Sequence, residues 1–303
     1  MAEVLLETRG LSKFFKTAGG LLHAVEDVDL ALGAGRTLGR TVLRLEKPSA
    51  GQVLFRGEDI SALGRRQLRS ARRDMQMVFQ DPYSSLDPRM TVFDLVAEPL
   101  REICRGLPRA QARERVLDTM ELCGLPAEYA DSYPHELDGG RRQRVGLARA
   151  MVTEPKFVVC DEPVSALDVS IQAQILNLLI DLQEQRGLAY MFITHDLAVV
   201  RHISDEIAVM YMGRIVEQAE KAELFSHPLH PYTQALLSAI PTTDLSRRGR
   251  PPQLLRGEVS SPVNPPPGCR FAPRCPHATE ACRGEVPLRE LSPTHRVACR
   301  LAG

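Results

Sequence analysis

The stretch FVVCDEPVSALD (157–168) runs apolar and then stops at two acids, with Ser165-Ala-Leu-Asp168 directly behind them. A hydrophobic strand would deliver Asp161 to its C-terminal edge, where open α/β sheets bind ligands. There Asp161 would hold Mg²⁺ and Glu162 would polarise an attacking water, as phosphoryl-transfer chemistry requires. A lone Asp-Glu pair is commonly an acidic turn after a strand; the Ser165–Asp168 run behind this one favours the chemical reading. MVFQDP (77–82) puts Gln80 at another strand end, within reach of the metal or the water. FITHD (192–196) puts His195 at a third, able to hydrogen-bond a terminal phosphate. In ELDGGRRQRVGLARAM (136–151) the pair Gly139-Gly140 leads into a basic helix whose first N–H groups can hold phosphate. The plain alternative is a helix start capped by Asp138.

These residues need a scaffold of parallel strands. Residues 3–9, 23–31, 52–57, 74–80, 156–163 and 188–196 read as strands, and 205–219 as two strands turning near Met212-Gly213. Residues 91–130 have helical apolar spacing punctuated by Pro108 and Pro126, and 170–187 is an amphipathic helix stopped by Gly187. Strands alternating with helices imply a mainly parallel sheet covered on both faces. Residues 242–268 are rich in Pro, Arg and Ser and read as an extended arm.

The 303 residues carry 38 basic and 38 acidic side chains, so no net charge draws the chain to nucleic acid. No apolar run approaches the roughly 20 residues of a membrane span, and the start lacks a signal-peptide layout, so a cytoplasmic protein is expected. Cys104, Cys123 and Cys160 are scattered, whereas Cys269, Cys275, Cys282 and Cys299 crowd the last 35 residues. In a reducing compartment such crowding suggests metal or iron–sulfur ligation before disulfides. The paired C-x₂-C knuckles of structural zinc are absent; four Cys on irregular loops suit a [4Fe–4S] cluster, with zinc, reduced free thiols or disulfides formed on exposure to air as the alternatives.

Together these motifs resemble the ATP-binding subunits of ABC transporters, most closely the oligopeptide/dipeptide importer branch. The resemblance implies an α/β, P-loop NTPase-like cassette with a mainly parallel sheet, a small antiparallel β-subdomain and a helical subdomain at about 84–150. The cassette would occupy 1–235 and a loop-rich extension with the Cys cluster 236–303. It places Gln80 on the Q-loop, Leu137 to Arg144 on the signature, and Asp161 and Glu162 on Walker B with its catalytic acid. Ser165 to Asp168 fall on the D-loop and His195 on the switch histidine, while Phe14 or Phe15 stands where the family stacks adenine. HPLHPYTQALLSAIP (227–241) and the Cys-rich tail resemble the branch's C-terminal extension. Implied with it are ATP and Mg²⁺, a second ATPase subunit, two transmembrane permeases, an extracytoplasmic peptide-binding protein, and a position on the inner face of the membrane through those permeases.

Two departures stand out. A P-loop needs Gly-x-x-x-x-Gly-Lys-Ser/Thr, yet none of the five lysines (Lys13, Lys16, Lys47, Lys156, Lys221) follows a glycine. Thr37-Leu38-Gly39-Arg40 runs straight into TVLRLEKPSAG, as if about a dozen residues were lost between two Thr-Leu-Gly repeats of the family pattern. The signature's Ser is replaced by Asp138, whose carboxylate would repel a terminal phosphate. The expected function is ATP-driven import of di- or oligopeptides with this copy's own site impaired. The alternative is a non-catalytic structural subunit, or a decayed paralogue, paired with a competent ATPase. A soluble ABC protein of translation or repair would show tandem cassettes or a long coiled coil, and neither is present.

Overall fold

The chain opens with a long hairpin, β1 (Leu6–Thr17) and β2 (Gly20–Ala31), then a short helix α1 (Arg36–Val42), followed by β3 (Ala50–Phe55) and β4 (Glu58–Asp59). Next come α2 (Arg65–Asp74), β5 (Met75–Val78), α3 (Pro82–Ser85), α4 (Val92–Ile103), α5 (Arg109–Leu122) and α6 (Gly139–Met151). They lead to β6 (Phe157–Asp161), α7 (Val169–Arg186), β7 (Ala189–Ile193), α8 (Leu197–Ile203), β8 (Glu206–Tyr211) and β9 (Arg214–Glu220). Helices α9 (Lys221–Ser226) and α10 (Pro231–Ser238) precede a final hairpin of β10 (Arg289–Ser292) and β11 (His295–Val297). The computed structural model describes residues 4–31, 36–104, 106–240, 255, 257–258 and 260–302. Most of the expected Pro-rich arm, 242–268, lies outside them.

Two compact units form. One holds Leu43–Leu45 and Leu54–Thr194; the other holds Leu6–Val42, Glu46–Val53 and the chain from His195 onward. The first unit contains the parallel sheet, in the order β5-β6-β7. Its central strand is apolar up to its last residue, Asp161, because both faces are covered: Phe157, Val158, Val159 and Cys160 are fully buried. Register Met77↔Val159 and Val159↔Met191 brings the C-terminal ends of all three strands to one edge. Helices α4 to α6 make the helical layer. Thr91 caps α4 by accepting the Asp94 N–H at 3.2 Å, and α5 begins immediately after Pro108. Helix α7 ends at Gly187, as its sequence indicates.

The parallel sheet has three strands, and the two other sheets are four-stranded, in the orders β2-β1-β3-β4 and β10-β11-β9-β8. Between β2 and β3 the described chain contains the helix α1 and no strand. Thr37-Leu38-Gly39-Arg40 belongs to that helix: the Thr41 hydroxyl donates to the Thr37 carbonyl at 2.7 Å, and Leu38 and Val42 are fully buried.

In the second unit the expected turn between β8 and β9 is present, with Met212 and Gly213 both at positive φ (46° and 82°). Only glycine fits at 213, since a Cβ there would meet the His23 carbonyl oxygen at 2.6 Å. The C-terminal chain is built into this unit's core. Phe271 is fully buried among Tyr211, Tyr232 and His230, with ring centroids 5.3 to 5.6 Å away. Strand β11 adds to β9 with His295↔Ala219 and Val297↔Glu217. Buried Glu217 accepts the Leu229 and His230 N–H groups at 2.7 and 3.0 Å and faces His295 Nε2 at 2.8 Å.

Glu26 on β2 ties the unit together. It pairs with His23, with Arg214 on β9 and with Arg270, whose guanidinium also donates to the Met212 carbonyl. Burial alone would push the Glu26 carboxyl up from 4.5. Hydrogen bonds from His23 and Arg214 and the charges of Arg270 and Arg214 outweigh it and hold the group at about 2. A carboxyl depressed on folding contributes stability that is complete above about 4.5 and lost as pH falls toward about 2. Calorimetric Tm measured from pH 6 to 2 should therefore fall less steeply across that window in Glu26→Gln than in the unaltered chain, while Glu26→Gln is already less stable at neutral pH. Equal slopes would show that Glu26 does not carry the acid response.

Candidate functional site

Two strand ends and two helix starts place the candidate residues of the first unit. Asp161 closes β6 and is buried, 5% exposed, paired in register with Ile193. The next residue leaves the sheet abruptly: Glu162 has φ 46°, sparsely populated backbone for a non-glycine residue, and its N–H donates to the Ile193 carbonyl at 2.8 Å. That turn swings the Glu162 side chain to Gln80, whose Nε2 donates to Glu162 Oε2. Residues 82 apart in sequence thus meet beyond the sheet's C-terminal edge.

The run behind Glu162 folds back on it. Ser165 donates to the Glu162 carbonyl from both its N–H, at 3.3 Å, and its hydroxyl, at 3.1 Å. Asp168 then caps α7 by accepting the Ile171 N–H at 3.0 Å. Gly139 and Gly140 pack closely here: a Cβ on Gly140 would stand 2.9 Å from Ile171 Cγ2, and one on Gly139 3.5 Å from Leu167 Cδ2. The glycine pair therefore lets the start of α6 approach the Ser165–Asp168 turn and α7.

Asp138 is the N-cap of α6. Its Oδ1 accepts the Arg141 N–H at 2.7 Å, and its Oδ2 pairs with the Arg141 guanidinium at 2.5 Å. The carboxylate is thus engaged with the helix terminus and a cation, which modifies the simple picture of an uncompensated charge facing phosphate. The neighbouring Arg142 escaped sequence reasoning. It is buried, donates to the Pro134 carbonyl at 2.6 Å, and lies 4.0 Å under the ring of the exposed Tyr83. Nothing in the spacing of Tyr83 and Arg142, on separate helices, signals that contact.

His195 and Phe15 belong to the second unit. His195 is exposed in the loop ahead of α8, where Asp196 caps the helix by accepting the Ala198 N–H at 2.8 Å. Phe15 is half-buried on β1, with the Lys13 ammonium 4.6 Å from its ring centroid, and Phe14 packs on His23 with centroids 4.7 Å apart.

The tail cysteines are all free thiols. Among the described residues no group of three or more His, Cys, Asp or Glu side chains could hold a metal ion. The expected metal centre, cluster or zinc, is therefore not assembled as a ligand group. The thiols are nonetheless neighbours: burial chiefly pushes Cys269 and Cys275 up, and nearby thiols add to it, Cys282 and Cys275 for the first, Cys299 and Cys282 for the second. The Cys269 N–H also donates to the Cys282 carbonyl at 2.9 Å.

Residues 32–165 match the family described as ABC transporter, and residues 216–282 the family described as oligopeptide/dipeptide transporter, C-terminal region. The chain is 46% identical over 324 aligned residues to the oligopeptide transport ATP-binding protein AppF of Bacillus subtilis, covering 99% of this chain and 98% of that protein. It is 44% identical to the di/tripeptide transport ATP-binding protein DppF of Pseudomonas aeruginosa, with 99% and 98% covered. Among solved structures it is similar to the ATP-binding cassette MJ0796 in a dimeric post-hydrolysis state bound to ADP and Pi (27% identity, TM-score 0.65, 71% of this chain and 98% of that one). CbiO1 of Clostridium perfringens, part of an ABC transporter complex, gives 28% identity and TM-score 0.64, with 74% and 91% covered.

The cap at Asp138 is directly testable. Asp138→Ala should lower stability in urea by about 1 kcal/mol, whereas Asp138→Ser, which keeps a cap acceptor, should stay close to the unaltered chain. Equal losses for the two variants would assign the effect to the Arg141 pair instead.

Proposed function

The chain belongs to the ATP-binding subunits of oligopeptide/dipeptide ABC importers, and we propose that this copy has kept the catalytic edge of its sheet while losing its own phosphate-binding loop. The observation that carries the reading is that no lysine in the chain follows a glycine, so no Gly-Lys-Ser/Thr exists to cradle phosphates. A loss of residues is in keeping with the alignment to AppF, which runs over 324 positions against the 303 of this chain. We read residues 1–235 as the nucleotide-binding domain and 236–303 as the importer-branch extension.

In a competent site Asp161, a buried carboxylate at a strand end, fits the role of Mg²⁺ ligand, the ion neutralising charge on the outer phosphates. Glu162 would take the proton of the attacking water, held on line by the Gln80 amide, and His195 would donate to the terminal phosphate. Asp168 and Gly139-Gly140 would form the face presented to a second cassette. With the P-loop gone, a homodimer has no complete site, which favours a second, competent ATPase as partner and a structural or decayed role for this copy. Two permeases and an extracytoplasmic peptide-binding protein would complete the importer. No helix among the described residues is long and apolar enough to cross a membrane, so attachment to its inner face would run through the permeases.

The tail is the place for a metal group. Zinc, held by Zn–S bonds of about 2.3 Å, is the alternative, and neither zinc nor a cluster finds an assembled ligand group among the described residues. A [4Fe–4S] cluster spaces its four thiolates more widely. Cys269, Cys275, Cys282 and Cys299, crowded into the last 35 residues, would hold it in a structural role.

Titration of the full chain with a fluorescent ATP analogue tests the nucleotide reading. Losing two or more charge-assisted hydrogen bonds, at about 1.5–3 kcal/mol each, should weaken binding at least about a hundredfold relative to a cassette with its P-loop. Micromolar affinity that disappears in Asp161→Asn would overturn it. Anaerobic purification followed by iron and acid-labile sulfide analysis tests the tail: four irons and four sulfides per chain are expected, and zinc without sulfide, or no metal, would remove the cluster.

A further inference from the structure

The hairpin that carries Phe14 and Phe15 is not free-standing. A short piece of the C-terminal extension lies along its second strand. The His23 N–H donates to the Pro262 carbonyl at 3.0 Å, Leu22 and Val263 form an antiparallel bridge, and the Asn264 N–H donates to the Leu21 carbonyl at 2.9 Å. Asn264 returns the bond from its side chain, accepting the Leu21 N–H on Oδ1 at 3.0 Å, while Nδ2 reaches the Gly19 carbonyl at 3.4 Å. Asn264 has φ 46°, a conformation that asparagine tolerates better than most residues.

The contact is shaped on both sides. Gly20 has φ +131° and would place a Cβ only 2.1 Å from Asn264 Nδ2, so both its conformation and its bareness are required where the amide seats. The residues so gripped are the cross-strand partners of the two aromatics: Phe15 pairs with Leu22 and Phe14 with His23. Each partner is thus held on one side by its aromatic and on the other by the extension. The imidazole of His23 packs on Phe14, and Arg270, further along the extension, joins the Glu26 carboxylate three residues on, which itself pairs with His23.

We propose that residues 262–264 are a positioning strand for the aromatic platform that meets the nucleotide base, with Asn264 as the residue that sets the platform's place. The inference rests on taking Phe15, of the two aromatics that the family resemblance offers, as the base-stacking residue. The extension then acts on the base and not on the phosphates, which the other motifs handle. A residue acting this way differs from one that merely stabilises the chain, because its loss should discriminate between ligands with and without a base.

The test is ligand-observed NMR titration of the full chain with ATP, adenosine and inorganic tripolyphosphate at millimolar concentrations. Asn264→Ala should weaken ATP and adenosine by about tenfold, the order of one lost aromatic contact, and leave tripolyphosphate unchanged. Asn264→Asp, which keeps the Oδ1 acceptor and the backbone pair, should restore most of the affinity, and the dispersed amide NMR spectrum of Asn264→Ala itself shows that this variant is folded. Equal loss for all three ligands, or no loss for any, overturns the positioning role. Phe15→Ala reports separately on the platform: if it leaves ATP and adenosine unaffected, or if the unaltered chain binds neither, the base-stacking reading fails whatever Asn264 does.

Discussion

A single carboxylate, Glu26, organises the second unit. Half-buried, it faces one histidine and two arginines contributed by β2 itself, β9 and the C-terminal extension. Charged groups leave water at high cost, so such a cluster persists only when each member finds partners, and breaking it from one side strands the rest. Arg270 shows this in detail: its guanidinium is almost wholly buried, and it bonds both the carboxylate and the Met212 carbonyl in the β8–β9 turn. The same turn requires Gly213 because the hairpin backbone passes so close. Hairpin, turn and extension therefore cannot shift independently.

Much of the first unit was legible because its signals are local. The apolar run 157–161 ending in two acids, the stop at Gly187, Pro108 before α5, and Asp138 before the glycine pair each declare structure within a few residues. The Met212-Gly213 turn was readable for the same reason. What local patterning could not supply were pairings between distant segments: Gln80 with Glu162, Arg142 with Tyr83, Asn264 with the hairpin tip. A composition rich in Pro and Arg reads as a linker, yet Phe271 behind it lies at the centre of an aromatic cluster. The reach of β1 to Thr17 was also hidden, since Lys13, Lys16 and Thr17 soften the apolar pattern while their strand still pairs with β2. The four tail cysteines were legible as a group in sequence, whereas the structure shows neighbours and not a ligand set.

The signature region illustrates how one substitution can satisfy structure and alter chemistry. Asp138 is a better helix cap than most residues and gains a salt bridge to Arg141. Folding therefore accepts it readily. Any penalty falls on what the helix start can hold, since its N–H groups already have a carboxylate among their acceptors. The close packing of Gly139 and Gly140 on the turn after Glu162 is untouched by the change.

The pairing of β11 with β9 has a consequence for the order of events during synthesis. Residues 217–219 must wait for 295–297, nearly at the end of the chain, before that edge of the sheet is covered. Phe271 likewise arrives long after the tyrosine it packs against on β8. While the ribosome is still working, the first unit has all its strands and helices, but the second exposes an unpaired β9 edge and an unfilled aromatic pocket. Domains tend to fold as they emerge, and unfinished edges invite pairing with other chains. A message truncated between codons 195 and 270 would thus yield a complete first unit joined to a sticky, incomplete second one, a product for the quality-control machinery and not a shorter subunit.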